Sequence, residues 1–387
     1  LSSAASDVYK RQSSRRSRVA VPVHPGGGLL APVPRVSRGA GLMRNLVRPA
    51  LSTLFGGELK PLAPSHSTIY DVAGTVYDAG IGVGQSLSMM SWNLLAPCYK
   101  RPAEVSPDAR ILAQMAVVRA SQADIVNLQE FWLEPSHLRT WRSVAAEEGY
   151  CMLVSPRSGG KRDGCCMLVR RTLLCAAPEV EALSYNDWGN RVVQLVTLRL
   201  ALALALTLTL TLALALTLTP IPTLTLTLTL AMLRLARAGG RDPFTLTVAH
   251  THLTFPHEGA HDLEMRWHQA RKLATLVQAR ARLNPVVVLG DLNGDVEDEA
   301  VSLLLASGGL NPMSERTDWI SHLAHNGKLM ACDILAVADE RPAPALTRVG
   351  FGDWSLGGTQ EELLSGGWLS DHRPLSVSLA LHDDVVE

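Results

Sequence analysis

The run Pro285-Val286-Val287-Val288-Leu289 constrains the fold more than any other part of the chain, because it leads straight into Gly290-Asp291-Leu292-Asn293. Successive β-branched residues with no polar interruption read as a strand buried on both faces, a position found only inside a covered sheet. Such a strand delivers Asp291 and Asn293 to its exposed end, two residues apart. A carboxylate and an amide placed this way suit a metal, a water or a phosphate. Taken alone, Asp-x-Asn-Gly after a strand is more often an ordinary turn.

A length of 387 residues admits two domains or one large α/β sandwich. Apolar residues make up 47% and charged residues 19%, so a large core can be buried. A formal net charge of zero excludes bulk nucleic-acid binding through a broad basic field, but not local positive charge at a site. The cysteines (Cys98, Cys151, Cys165, Cys166, Cys175, Cys332) form no Cys-x-x-Cys pair and no metal-finger spacing, which suits reduced thiols in an intracellular protein.

From Lys10 to Gly57 there is no acidic residue, while arginines are scattered among Ser, Pro and Gly. This fits either plastid or mitochondrial targeting or a disordered tail of an otherwise cytoplasmic protein. Leu1–Gln12 resembles read-through of a cloning adaptor. Residues 1–85 are therefore expected to lie outside the fold and 86–387 to form one domain. The oligomeric state has no signature.

Within that domain, Leu87–Leu94, Asp124–Gln129, Tyr150–Val154, Gly164–Arg170, Arg191–Leu200, Phe244–His252, Val286–Leu289, Cys332–Val337 and Leu375–Leu381 read as strands. Pro107–Ala120, Ser136–Glu148 and Glu258–Leu283 read as helices. Short hairpin connections mixed with helical excursions predict an α/β sandwich, two mixed sheets packed face to face with helices outside. Leu200–Leu233 alternates Leu with Ala or Thr, carries no charge, and is broken by Pro220-Ile221-Pro222. It is long enough for a membrane span, but its period of two fits an expanded loop or hairpin, so no stable membrane insertion is expected.

Five short segments place polar residues at strand ends: Trp92-Asn93, Leu128-Gln129-Glu130, Thr251-His252-Leu253, Asp291-x-Asn293 and Ser370-Asp371-His372. Each alone has a dull explanation as a turn former, a helix cap or a satisfied interior histidine. Together they supply carboxylates, amides and imidazoles, the inventory of metal-assisted phosphoester hydrolysis.

With these motifs in this order, the chain resembles the endonuclease/exonuclease/phosphatase superfamily from about Leu87 to Leu381. Within it, Asn93–Arg101, Tyr185–Leu195 and His252–His257 look like plant and algal proteins with a nuclease-like domain, some labelled calcium-binding. Arg162-Asp163-Gly164-Cys165 is shared with the deadenylase branch. The resemblance implies a four-layer α/β sandwich of the DNase I type and a Mg²⁺ cofactor, with Mn²⁺ as a substitute. It implies Glu130 as metal ligand, with Asn93 beside it on metal or phosphate and Asp371 as a second ligand or an anchor. Asp291 would orient or deprotonate the attacking water, Asn293 would bind phosphoryl oxygens, and His252 and His372 would stabilise charge on phosphorus. Asp333 would orient His372, and Asp163 would lie on the substrate side or support a histidine. The substrate would be a phosphoester, RNA or DNA among the candidates; the alternative is a catalytically silent binding domain of the same fold.

Two competing motifs fail. His257-Glu258-Gly259-Ala260-His261 satisfies His-Glu-x-x-His, but it follows Pro256, contains Gly259, and has no acidic third ligand between Met265 and Gly290. Asp291-x-Asn293-x-Asp295 opens like an EF-hand loop, yet Val296 and Ser302 stand where Gly and Glu are required. Calcium regulation is therefore not expected.

Overall fold

The structure, a computed structural model, describes residues 59–63, 67–70, 81–82, 86–99, 107–200, 202–203, 243–257, 260–313, 320–324, 327–340, 346–351 and 369–381. In chain order the elements are β1 (Lys60–Pro61), β2 (Thr68–Tyr70), β3 (Ile81–Gly82), β4 (Ser86–Asn93), α1 (Pro107–Ser121), β5 (Ile125–Trp132), α2 (Pro135–Glu147), β6 (Tyr150–Pro156) and β7 (Asp163–Arg170). Then come β8 (Glu179–Ser184), β9 (Val192–Leu200), β10 (Leu202–Ala203), β11 (Phe244–His252), α3 (Ala260–Ala281), β12 (Val286–Asp291) and α4 (Glu299–Gly308). The last are β13 (Asn311–Pro312), β14 (His322–Leu323), β15 (Leu329–Met330), β16 (Asp333–Ala338), β17 (Leu346–Phe351) and β18 (Leu375–Leu381).

Two seven-stranded sheets carry the fold, in the orders β1-β8-β9-β11-β12-β16-β13 and β17-β18-β4-β5-β7-β6-β2. Each has one parallel pair at its centre, β11 with β12 and β4 with β5, and is otherwise antiparallel. Three apolar layers separate four structural ones. Leu87, Met89, Ile125, Val248, Val287 and Leu289 fill the space between the sheets. Ala270, Leu273 and Val277 of α3 with Val301 and Leu304 of α4 cover one outer face. Ile111 and Met115 of α1 with Trp141 of α2 cover the other. This is the expected sandwich of the DNase I type.

Strand β12 shows why its sequence is unbroken. Val286 and Val288 pack under α3 and α4, while Val287 and Leu289 face the opposite sheet. Period-two alternation with both faces covered leaves no place for a polar residue. The same alternation, continued toward the strand ends, turns Ser91, Asn93, Gln129, His250, His252 and Asp291 into the space between the sheets, all buried. The interface thus changes from apolar to polar along its length, and the polar end holds the motifs.

Gly290 makes this geometry possible. It lies beside Thr251 in the parallel ladder, has φ of +145°, and a Cβ there would fall 1.9 Å from the Thr251 carbonyl oxygen. Gly290→Ala is expected to lower the unfolding free energy by at least ~3 kcal/mol, read as a lower urea midpoint. A wild-type midpoint would refute this.

The expected start of the fold at Ser86 needs correction. Lys60–Pro61 pairs with β8 and Thr68–Tyr70 pairs with β6, so pieces of residues 1–85 edge both sheets. Strands of two or three residues are too short to show periodicity. Strands β8 and β17 were not expected either; the expected helix start at Glu258 lies outside the described residues, and α3 is described from Ala260. The Leu200–Leu233 repeat lies outside the described residues except for Leu200 and Leu202–Ala203, as does the adaptor-like Leu1–Gln12. Among the described residues no helix is long and apolar enough to cross a membrane.

Candidate active site

Six chain segments meet at the polar end of the sandwich. Asn93, His252 and Asp291 are the last residues of β4, β11 and β12, and Asp333 opens β16 directly opposite Asp291. Glu130 arrives differently. It has φ of +51° and sits where the β5–β7 register shifts between Leu128 and Phe131. This bulge turns the Glu130 side chain out of simple alternation, the usual way a strand re-aims one residue. The Ser370–Arg373 segment is tied to the first motif: Trp92 Nε1 donates to the His372 carbonyl (2.9 Å), and Ser370 Oγ donates to the Asn93 carbonyl (2.6 Å).

Asp291 is the hub. Its Oδ2 accepts from Asn93 Nδ2 (2.9 Å) and lies 3.3 Å from His252 Nε2 and 3.5 Å from His372 Nε2. Its Oδ1 accepts from the Asn293 backbone N–H (2.9 Å). His372 Nδ1 donates to Asp333 Oδ2 (2.8 Å). Asn93 Nδ2 also reaches Glu130 Oε1 at 3.3 Å, and the Ala96 N–H donates to Glu130 Oε2 (2.8 Å). Asn293 Nδ2 lies 2.9 Å from His252 Nε2 and donates to the Leu253 carbonyl (2.9 Å). Asn93, Glu130, His252, Asp291, Asn293 and His372 border a cleft of about 660 Å³ that also includes Asp371, Arg191 and Trp188.

The electrostatics assign charge states. Burial disfavours a charge on Asp291, but His372, His252 and His322 with the Asn93 hydrogen bond hold its carboxyl below the usual range. Burial likewise opposes a charged His372, yet Asp333 and Asp291 push it up to about 10, so it is an imidazolium at neutral pH. Burial and then Arg191 hold His252 well below its usual value, leaving it neutral. Arg191 Nη1 donates to His252 Nδ1 (2.9 Å), and Nε2 faces both Asp291 Oδ2 (3.3 Å) and Asn293 Nδ2 (2.9 Å). Burial raises Glu130 to about 7, with Asp371 adding to the effect.

That elevation is a test of fit for a divalent cation. Glu130 and Asp371 offer hard carboxylate oxygens to the cleft, with Asn93 beside them turning its Nδ2 to Glu130 and accepting from the Leu95 N–H (3.0 Å) through Oδ1. A carboxylate raised by desolvation is one that a hard cation would return to its ionised form. The donor set suits a hard divalent cation.

Seven of the nine expected residues converge directly here: Asn93, Glu130, His252, Asp291, Asn293, Asp371 and His372 line the cleft. Asp333 stands behind His372, buried, as an orienting partner. Asp163 is the correction. It is buried and ion-paired with Arg157 (2.8 Å), whose Nη2 donates to the Gly189 carbonyl (2.7 Å). Asp163 therefore braces a cleft arginine rather than meeting substrate, and it offsets much of the Arg157 charge.

Three contributors went unnoticed in the sequence. Arg191 supplies a buried cation beside His252. Arg266, also buried, donates to the Leu292 and Asn293 carbonyls (3.0 and 2.9 Å) and fixes the turn after Asp291. Its signal was an arginine on the inward stripe of α3 with Ala270, Leu273 and Val277. His322 stacks on the His372 ring (centroids 4.0 Å apart, planes 11°) and had no local signal.

Beneath the site, His250 Nε2 accepts from Gln129 Nε2 (2.7 Å) and its Nδ1 donates to Gln194 Oε1 (3.1 Å), linking the two sheets. Burial pushes His250 down from 6.5 to about 3. The unfolded chain therefore binds a proton below 6.5 that the folded one refuses, so stability falls as the pH drops from about 6.5 to 3. One proton corresponds to ~1.4 kcal/mol per pH unit. His250→Gln keeps a donor and an acceptor but no titrating ring, and urea midpoints at successive pH values should show a flatter acid limb. An unchanged slope would acquit His250.

No curated protein sequence matches the chain. Solved structures resemble it at identities that speak for the fold alone. The human Nocturnin catalytic domain, solved with a bound sulfate anion, superposes with a TM-score of 0.53 at 16% identity, covering 78% of this chain and 96% of that one. ANGEL2, a 2′,3′-cyclic phosphatase in complex with adenosine-2′,3′-vanadate, gives 0.54 at 14% identity, covering 78% and 97%. D. rerio TDP2, complexed with a single-strand DNA product, gives 0.51 at 14% identity, covering 76% and 98%. The profile of the Endonuclease/Exonuclease/phosphatase family matches residues 90–372, the span that holds every converging motif. The chain belongs to the endonuclease/exonuclease/phosphatase family.

Proposed function

We propose that the protein is a Mg²⁺-dependent phosphoester hydrolase that works by direct attack of water. The observation carrying this reading is the Asp291 hub, an ionised carboxylate within 3.5 Å of a charged His372 and a neutral His252. Asp291 orients the attacking water and draws its proton. Asn293 and His252 hydrogen-bond the phosphoryl oxygens, and His372, kept cationic and fixed by Asp333, stabilises the charge that builds on them. Glu130, Asn93 and Asp371 would hold the metal, with Mn²⁺ as a substitute. When bound, such an ion polarises a phosphoryl oxygen and offsets charge on the leaving group.

DNA and RNA are the favoured substrates; the TDP2 and ANGEL2 structures carry a DNA product and an adenosine vanadate. The likeness to plant and algal nuclease-like proteins is kept in this reading, because Trp188, Gly189, Arg191, Thr254, Phe255 and His257 all line the cleft. Their calcium labels are not carried over. An intracellular location, with plastid or mitochondrial targeting as one form of it, rests on the basic Lys10–Gly57 stretch and on the absence of any disulfide among the six cysteines.

The test is hydrolysis of a panel: a poly(A) oligomer, duplex DNA, an abasic duplex, inositol polyphosphates, sphingomyelin and a nicotinamide dinucleotide phosphate. Activity on one of them should vanish in EDTA. Glu130→Gln should raise the Mg²⁺ concentration for half-maximal rate roughly 10–100-fold, the range seen when metal-supporting groups are lost. Full activity at unchanged Mg²⁺ demand would sink the ligand assignment.

A further inference from the structure

The turn from Tyr185 to Arg191, between β8 and β9, holds Trp188 67% exposed at the edge of the cleft. An indole in water is an apolar cost, and loops usually hide it or let it move. Here the turn is tied down instead. Gln269 Nε2 donates to Asp187 Oδ2 (2.8 Å), Lys272 Nζ to the Tyr185 carbonyl (2.7 Å), and Arg157 Nη2 to the Gly189 carbonyl (2.7 Å). Asn190 Nδ2 closes the turn on the Trp188 carbonyl (3.0 Å), and Asn186 and Asn190 adopt φ of +52° and +53°. Backbone strain and so many ties spent on displaying an aromatic ring point to a recognition surface. The His261 ring rests against the indole at 4.7 Å, and Arg191, at the end of the same turn, is a buried cation facing the reacting centre.

From this arrangement we infer that Trp188 is the stacking platform for a nucleobase, so that the phosphoester taken by this cleft is a nucleobase-bearing one. The inference rests on the hydrolase reading for the reaction but not for binding. An aromatic plane in a wall that mixes polar groups (Asn93, Thr254, His257, Asp262) with apolar ones (Leu95, Tyr99, Phe255, Met265) fits a flat heterocycle with a polar edge better than an acyl chain, which needs a continuous apolar trough. An inositol polyphosphate needs several cations. Of the three Arg and Lys side chains on the cleft wall, Arg157 is bound to Asp163, which leaves Lys161 and Arg191, with the His372 imidazolium, opposite Glu130, Asp291 and Asp371. That suffices for one phosphate at a time, with the base held by stacking.

The test compares binding of adenosine 5′-monophosphate and ribose 5-phosphate to the full chain in Mg²⁺ by calorimetry. Wild type should prefer the nucleotide on the order of ten- to a hundredfold, as base–aromatic stacking gives elsewhere. Trp188→Ala should abolish that preference and leave ribose 5-phosphate affinity unchanged, while Trp188→Phe should keep most of it. On a single-stranded oligonucleotide, Trp188→Ala should raise KM and spare kcat. A wild type indifferent to the base, or a Trp188→Ala variant weakened equally for both ligands, would overturn the inference. If no phosphoester is hydrolysed yet the preference depends on Trp188, the hydrolase reading falls and the stacking site stands.

Discussion

Asp291→Asn is expected to cut turnover roughly 10²–10⁴-fold, the range attributed to a positioned general base. The side chains are nearly isosteric, so the change removes a charge and not a volume. Asp291 accepts from Asn93 Nδ2 through one oxygen and from the Asn293 N–H through the other. An amide can keep only one of these bonds, which costs about 1 kcal/mol of stability. The anion between His252 and His372 disappears with it, so the water loses its acceptor and His372 loses one of the two carboxylates that keep it charged. Turnover on the responsive panel substrate should collapse while circular dichroism and the thermal midpoint stay near wild type. A well-folded variant retaining a third of the activity would refute the role.

The second large effect belongs to the pair behind the phosphate. His372→Ala should lower kcat about 10²–10³-fold, as removal of a preorganised charge-stabilising donor does. Asp333→Asn should produce a similar loss without touching substrate, because Asp333 Oδ2 holds His372 Nδ1 at 2.8 Å. The double variant should be little worse than either single one, since both changes disable the same imidazolium. Removing an anion favours the neutral ring, so in Asp333→Asn the alkaline limb of the pH–rate profile should move to lower pH. Additive losses, or an unshifted limb, would show that Asp333 acts otherwise.

How much of this was legible depends on the range over which each residue acts. The Val286–Leu289 strand, and the delivery of Asp291 to its end, follow from local periodicity and β-branching. Glu130 was found through its motif, but not the bulge at φ +51° that aims it. The Asp163 motif points to the substrate side or to support of a histidine, because it carries no information about Arg157, which lies just past the end of the preceding strand and pairs with it. Arg191 and His322 escaped because their partners, His252 and His372, lie far away along the chain.

The sequence by itself determined the layers and the chemical inventory, since both depend on alternation within strands and on residue types at strand ends. Tertiary structure alone decided the charges. Asp291 is anionic, His372 cationic and His252 neutral because two sheets close over them, exclude water, and bring Asp333 and Arg191 into hydrogen-bond range. Coulombic energies vary inversely with distance and dielectric constant, and neither quantity exists until the sheets are packed.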